Sequence, residues 1–336
     1  MSGRGASRPH ILLLGGTSSI AAAYPKEVLA VLAPHADVLS PRLTAESWRD
    51  HRATLAQADY ILSTWGVPCF DQEFLECASR LKGVFYAAGS VKSFATPVFY
   101  ARGIVLSTAV QANAIPVAEF AVSAIILSLK GFWRHARQIH RTREWKSYPV
   151  PGAYRSSVGL LSLGAVGRLT AEKLTGYELD VLAYDPFVAP EAAAALGVRL
   201  VSLEELFAQA DVVSLHPPWL PETENLVGAS LLRSMKPGAT LLNTARGAVI
   251  DERALCEMLR ERPDLTAILD VTHPEPPPSD SPLFRLENIF LTPHIAGSVG
   301  GEVARMGQWM VEELLRQIHG EPLRYAVTEE MLEISA

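Results

Sequence analysis

Short, nearly continuous apolar runs alternate with amphipathic stretches from His10 to about Gly320. Eleven of these runs read as strands: His10–Gly16, Ala58–Thr64, Gly83–Gly89, Ile104–Thr108, Ser156–Leu163, Asp180–Asp185, Val198–Ser202, Asp211–His216, Ala239–Ala245, Thr266–Val271 and Ile289–His294. Most are apolar throughout rather than alternating in polarity, which is the pattern of strands buried on both faces of a parallel sheet. Between them, SLEELFAQA begins with Ser202 as N-cap and Glu205 in position to close a capping box, and DERALCEMLRER follows Asp251 as another helix. Each helix starts just after a strand, so the expected class is α/β.

The alternation breaks in the middle of the chain. Ala114 to about Ile139 reads as one long helix, with Glu119 near its start and Arg134, Arg137 and Arg141 toward its end, a distribution that suits the helix dipole. The following REWKSYPVPGAYRSS, rich in Pro, Tyr and Trp, has no period and reads as an extended arm. These features place a boundary near Thr108. Residues 1–108 would form one domain, completed by the last helix (about Gly301 to His319) and the tail, about 303–336, with 109–302 forming the other. PEPPPSDSP at Pro274–Pro282 reads as a rigid loop.

Composition narrows the class. At 336 residues the chain exceeds what one core usually supports, and 49% apolar residues with a net charge of -6 suit a globular enzyme rather than a nucleic-acid binder. The cysteines Cys69, Cys77 and Cys256 lack metal or redox spacing and are expected to be reduced and at least half-buried, which fits a cytoplasmic protein. The longest apolar run, Phe120–Leu129, is too short to span a bilayer, so no membrane association is expected. The long helix and the Trp145 arm carry more aromatic and apolar surface than a monomer usually shows, and a homodimer through them is expected.

The chemistry gathers at strand ends. Ser162–Gly167, SLGAVG, follows a strand and precedes a helix, and Asp185 ends the next strand about twenty residues on. Gly164 and Gly167 occupy the second and third glycine positions of a dinucleotide fingerprint, and Ser162 occupies the first. An acidic Asp185 accepts from a ribose 2'-hydroxyl and repels a 2'-phosphate, which selects NAD over NADP. The Gly-rich turn after His10–Leu14 lacks the spaced third glycine and is assigned to the other domain. Arg246 follows the strand ending in Ala245, where its guanidinium would hold a carboxylate. His294 follows IFLTP, and a histidine there is a candidate proton donor. Taken alone it would be read as a core or cap residue. Glu275 shifts that balance, because a carboxylate beside an imidazole fixes its tautomer and favours its protonated form. His273 reads as a solvated neighbour, His216 with Pro217 as part of a cofactor wall, and Asp270 as a group facing the nicotinamide or capping a turn. No metal-site or GxSxG spacing is present.

NTARGAVID, LDVTHPEP, SPLF and LTPHIAGS, in that order, together with VAEFAVSAIILSL, resemble the D-isomer-specific 2-hydroxyacid dehydrogenase family from about Asp59 to Gly320. The resemblance implies two Rossmann-like or flavodoxin-like domains with parallel sheets and a cleft between them. It also implies NAD as cofactor and a small anionic 2-oxo or 2-hydroxy acid as partner. By that resemblance Arg246 orients the substrate, His294 is the acid/base and Glu275 its partner. Ala165, Val166, Asp185, Thr244 and Asp270 contact NAD, with Gly164, Gly167, His216, Pro217 and Thr223 in the same site, and the Ser90 and Val91 amides receive the substrate carboxylate. The chain departs from the family pattern at Ser162, at Lys92, where an acidic residue is usual, and at Thr272, where an aromatic is common. A non-catalytic NAD sensor, or a dehydrogenase of a different substrate on the same fold, are the rival expectations.

Overall fold

The computed structural model describes residues 8–333. Its contacts divide the chain into two compact units, one formed by the residues up to Asn113 with those from Ser298 onward, the other by Ala114–Gly297. The crossings fall within the Val110–Leu129 helix and just after the His294 turn, a few residues from the positions expected from sequence. At the two crossings, the Ser298 N–H donates to Asn113 Oδ1 at 2.9 Å, inside the first unit.

The first unit holds β1 (His10–Leu14), β2 (Asp37–Val38), β3 (Tyr60–Ser63), β4 (Gly83–Tyr86) and β5 (Val105–Thr108) in a parallel sheet of order β2-β1-β3-β4-β5. Successive residues of β1 alternate between two cores, Leu12 and Leu14 facing one and Ile11 and Leu13 the other, so the whole run is apolar. The Gly301–His319 helix closes the second of these faces with Val303, Met306, Met310 and Leu314. Its buried Glu313 accepts from the Ser107 hydroxyl and from the Arg324 and Tyr325 N–H groups, which secures the segment after the helix. β2 was not expected. Its two residues are exposed at the sheet edge and carry no apolar run.

The second unit holds β6 (Ser157–Leu161), β7 (Asp180–Tyr184), β8 (Arg199–Leu200), β9 (Val212–Leu215), β10 (Thr240–Asn243), β11 (Thr266–Leu269) and β12 (Ile289–Leu291). All pair in parallel in the order β12-β11-β10-β9-β6-β7-β8, so strand order reverses at β6. Ligands of such sheets bind beyond the carboxyl ends of the strands at the reversal. The Ser202 capping box and the helix after Asp251 form as expected, the latter with Asp251 as its N-cap.

The expected single helix over 114–139 is two helices, Val110–Leu129 and Phe132–Thr142. Gly131 separates them in a left-handed conformation at φ 64, and a Cβ there would meet Val150 Cγ1. The arginines therefore do not complement the dipole of the first helix, and Glu119 instead pairs with Lys173 at 2.9 Å. Val110–Leu129 is long and apolar enough to cross a membrane, at a mean hydropathy of 1.7, contrary to the expectation from its longest apolar run. Half of it is buried, and Ala121, Ile125 and Leu129 pack in the core of the second unit. Cys69 is exposed rather than half-buried, while Cys77 and Cys256 are covered as expected.

Candidate active site

The candidates of the second unit lie in the segments that follow the carboxyl ends of its strands. After β6 the chain turns at Ser162, whose backbone is left-handed at φ 76 and whose N–H donates to the Tyr184 carbonyl at 2.8 Å. Gly164 is the N-cap of the Ala165–Leu174 helix and supplies no side-chain cap, so the first-turn N–H groups are open to an anion. Gly167 packs so closely on Ser162 that a Cβ would overlap the Ser162 carbonyl oxygen. Asp185, directly after β7, accepts from the Leu163 N–H at 2.7 Å, the Ser162 hydroxyl at 3.3 Å and the Phe187 N–H at 2.9 Å.

After β9, the His216 N–H donates to the Leu161 carbonyl at 2.9 Å and its Nε2 lies 3.0 Å from Ser214 Oγ. Its Nδ1 is buried without a partner among the described residues, and burial pushes the ring's pKa down to about 4. The ring is therefore neutral, and it lies beside the buried Pro217. The Thr223 hydroxyl donates to the Pro218 carbonyl at 2.6 Å and accepts from the Leu220 N–H at 2.9 Å, tying down its own loop. Trp219 meets His273 edge-on at 4.9 Å between ring centroids.

After β10 come Thr244 and Arg246. Thr244 is buried and its hydroxyl has no partner among the described residues. Asn243 holds the Arg246 turn, donating to the Arg246 carbonyl at 2.9 Å and accepting from the Ala245 N–H at 3.0 Å. The Arg246 guanidinium donates to the Ala245 carbonyl at 2.6 Å and has no carboxylate within 4.0 Å among the described residues. Burial lowers its pKa, opposed by the charge of Glu275. A largely buried cation without an ion-pair partner is a site for an anion from outside.

The loops after β11 and β12 interlock. Asp270 is only 1% exposed, and its carboxylate accepts from the Thr292 hydroxyl at 2.6 Å and from the Ile295 and Ala296 N–H groups, both at 2.9 Å. Its carbonyl also accepts from the His294 N–H at 2.9 Å. The carboxylate is thus turned into the His294 loop, which it positions. His294, left-handed at φ 54, places its Nδ1 2.6 Å from Glu275 Oε1, with the side chains 48% and 43% exposed. A ring held through Nδ1 has Nε2 available to a ligand.

Ser90 and Val91 follow β4 in the first unit. Val91 is buried in that unit's core, so only its main chain can serve a ligand, and the Ser90 and Val91 N–H groups have no acceptor among the described residues. Lys92 is exposed beside them. Sequence reasoning missed Asn243, Thr292 and the steric role of Gly247. An Asn at a strand end two residues before an amide it can accept from is an Asx-turn signal and could have revealed Asn243. Thr292 carries no such signal. No group of three or more His, Cys, Asp or Glu suited to a metal occurs among the described residues.

These features fit a dinucleotide: an uncapped helix start, a turn that excludes a Cβ at Gly167, a carboxylate after the second strand, and the unpartnered Thr244 hydroxyl and His216 Nδ1 along the same edge. Residues 122–296 match the family model described as D-isomer specific 2-hydroxyacid dehydrogenase, NAD binding domain. The chain is 34% identical over 266 residues to a D-3-phosphoglycerate dehydrogenase of Archaeoglobus fulgidus, covering 79% of this chain and 50% of that one. It is 31% identical over 270 residues to a glyoxylate reductase of Korarchaeum cryptofilum, covering 79% of this chain and 81% of that one. A crystal structure of a Thermus thermophilus protein superposes with a TM-score of 0.75 at 28% identity, covering 95% of this chain and 100% of that one. The chain belongs to the D-isomer-specific 2-hydroxyacid dehydrogenase family. Its second unit is the family's NAD-binding domain, and it spans about half the length of the first of these curated relatives.

Proposed function

We propose that the chain is an NAD(H)-dependent dehydrogenase that interconverts a small 2-oxo acid and its D-2-hydroxy acid. The observation that carries this reading is the 2.6 Å pair of His294 and Glu275, which shares the carboxyl edge of the nucleotide-binding sheet with the unpaired Arg246. The relatives' names, phosphoglycerate dehydrogenase and glyoxylate reductase, support a hydroxy- or oxo-acid substrate.

Bound NADH would supply the hydride that reduces the substrate carbonyl carbon. Arg246 would hold the substrate carboxylate and polarise the carbonyl oxygen, since its charge is not spent on an internal partner. The Ser90 and Val91 amides are proposed as further carboxylate donors. His294, held through Nδ1 by Glu275, would give a proton from Nε2 to the developing alkoxide oxygen and take it back in the oxidative direction. Gly164–Gly167 would receive the pyrophosphate and Asp185 the adenosine ribose, which favours NAD over its 2'-phosphorylated form. Thr244, His216 and Pro217 would line the remainder of the cofactor site. A symmetric dimer through the Phe132–Tyr154 region is part of the proposal, supported by Trp145 at 92% exposure and Tyr154 at 62%.

The test is NADH oxidation with purified protein against pyruvate, glyoxylate, hydroxypyruvate, phenylpyruvate and 3-phosphohydroxypyruvate, with chiral analysis of the product. Turnover of one of these to the D-hydroxy acid is expected. Tight NADH binding without turnover of any would replace the enzyme with a cofactor sensor, and light scattering showing a monomer would remove the dimer.

A further inference from the structure

Ser162 combines two features that a glycine in the same turn would lack. Its backbone is left-handed at φ 76, a conformation disfavoured for any residue with a Cβ. Its hydroxyl donates to Asp185 Oδ2 at 3.3 Å. The same carboxylate already accepts the Leu163 N–H at 2.7 Å and, through Oδ1, the Phe187 N–H at 2.9 Å. A carboxylate offers about four lone-pair sites. Three are therefore occupied before any ligand arrives, while the acidic residue after the second strand of such a domain is the acceptor for the adenosine ribose.

The three donors are not equivalent. The two amides belong to the main chain of the turn and stay in place. The serine makes the longest of the three bonds and is the only one that can leave by rotation about χ1. Resting on the NAD reading above, we infer that Ser162 is a determinant of cofactor affinity: its hydroxyl occupies an Asp185 site that a ribose hydroxyl takes when the dinucleotide binds. One acceptor site stays free for a first ribose hydroxyl, but for the second, binding exchanges one hydrogen bond for another instead of adding one, so the cofactor is held less tightly and leaves faster. The exchange is confined to the adenosine end and leaves the proton-transfer pair untouched.

The experiment is an NADH fluorescence titration of the whole chain as wild type, Ser162→Gly and Ser162→Ala, with the Tm of each measured without cofactor. Removing the competing hydroxyl is expected to lower the NADH Kd by about threefold to tenfold in both variants, the range of one ordinary hydrogen bond. The Tm values are expected to diverge. Glycine relieves the left-handed strain and raises Tm by a few degrees, whereas alanine keeps the strain, loses the bond and lowers it. Equal tightening with opposite Tm changes separates competition at Asp185 from a general change in loop stability. Unchanged binding in both variants would overturn the inference, and weaker binding in both would make the serine a direct ribose contact instead. A folded wild-type chain without saturable NADH binding would overturn the NAD reading itself and this inference with it.

Discussion

Gly247 lies so close to the main chain of Thr272 that a Cβ on it would overlap the Thr272 carbonyl group. The loop after β10, which carries Arg246, and the loop after β11, which leads to Glu275, are thereby pressed into one piece. The missing side chain at Gly247 is what permits this close approach of two backbones.

Gly247→Ala must separate these loops, because main chain on both sides cannot step aside as a flexible side-chain tip would. The expected loss is about 1–3 kcal/mol of stability, as for other overpacked sites. A displacement of the anion site by about 1 Å would lower kcat/KM by up to about a hundredfold. Urea unfolding run beside steady-state kinetics checks both. A variant as stable and active as wild type would show that the loops are not coupled in this way.

Asp270 supplies the second support. Its carboxylate faces two N–H groups and a hydroxyl, and all three act as donors to it. Asp270→Asn turns one acceptor oxygen into an NH2 group that faces donors, leaving buried polar groups unsatisfied at about 1–3 kcal/mol each. The His294 turn should loosen with it. We expect reduced stability and a fall in kcat, with NADH affinity changed much less because Gly164–Gly167 and Asp185 lie on other strands. Equal losses in NADH affinity and kcat would instead place the carboxylate against the cofactor.

Much of the site was legible because its chemistry sits where apolar runs stop. Arg246, Glu275 and His294 each follow an apolar strand, and parallel sheets bind ligands at that end. Asp185 was legible through its spacing from Gly167. The arrangement around these residues was not. Backbone amides carry no sequence signature, so nothing in the letters shows that Asp270 accepts from Ile295 and Ala296 or that Ser162 reaches Asp185. The break at Gly131 was hidden because a single glycine does not interrupt an apolar period, and β2 because two exposed edge residues have no period at all.

His294→Ala should lower kcat by about a hundredfold to ten-thousandfold, the usual contribution of a positioned proton donor. Glu275→Gln keeps the shape of the partner but replaces its carboxylate with a neutral amide, so a smaller fall in kcat is expected. NADH binding should persist in both variants, since neither residue lies at the nucleotide turn. Pre-steady-state and steady-state NADH oxidation with the best oxo acid measure the loss directly. An unimpaired kcat in His294→Ala would remove the proton-transfer role.

His216 gives the chain a defined acid sensitivity. Burial lowers its pKa from 6.5 to about 4 in the folded protein. As pH falls below 6.5 the unfolded chain takes up a proton at this position, while the folded chain stays neutral until about 4. The unfolded state therefore binds more protons across that window, and stability declines as pH falls, with a slope of at most about 1.4 kcal/mol per pH unit from this group. Below pH 4 both states are protonated here and His216 adds no further loss. His216→Gln cannot take up the proton, so its stability should fall less steeply than that of wild type between these limits, whatever its stability at neutral pH. Urea unfolding at a series of pH values gives both slopes, and parallel curves for the two proteins would place the proton uptake on another group.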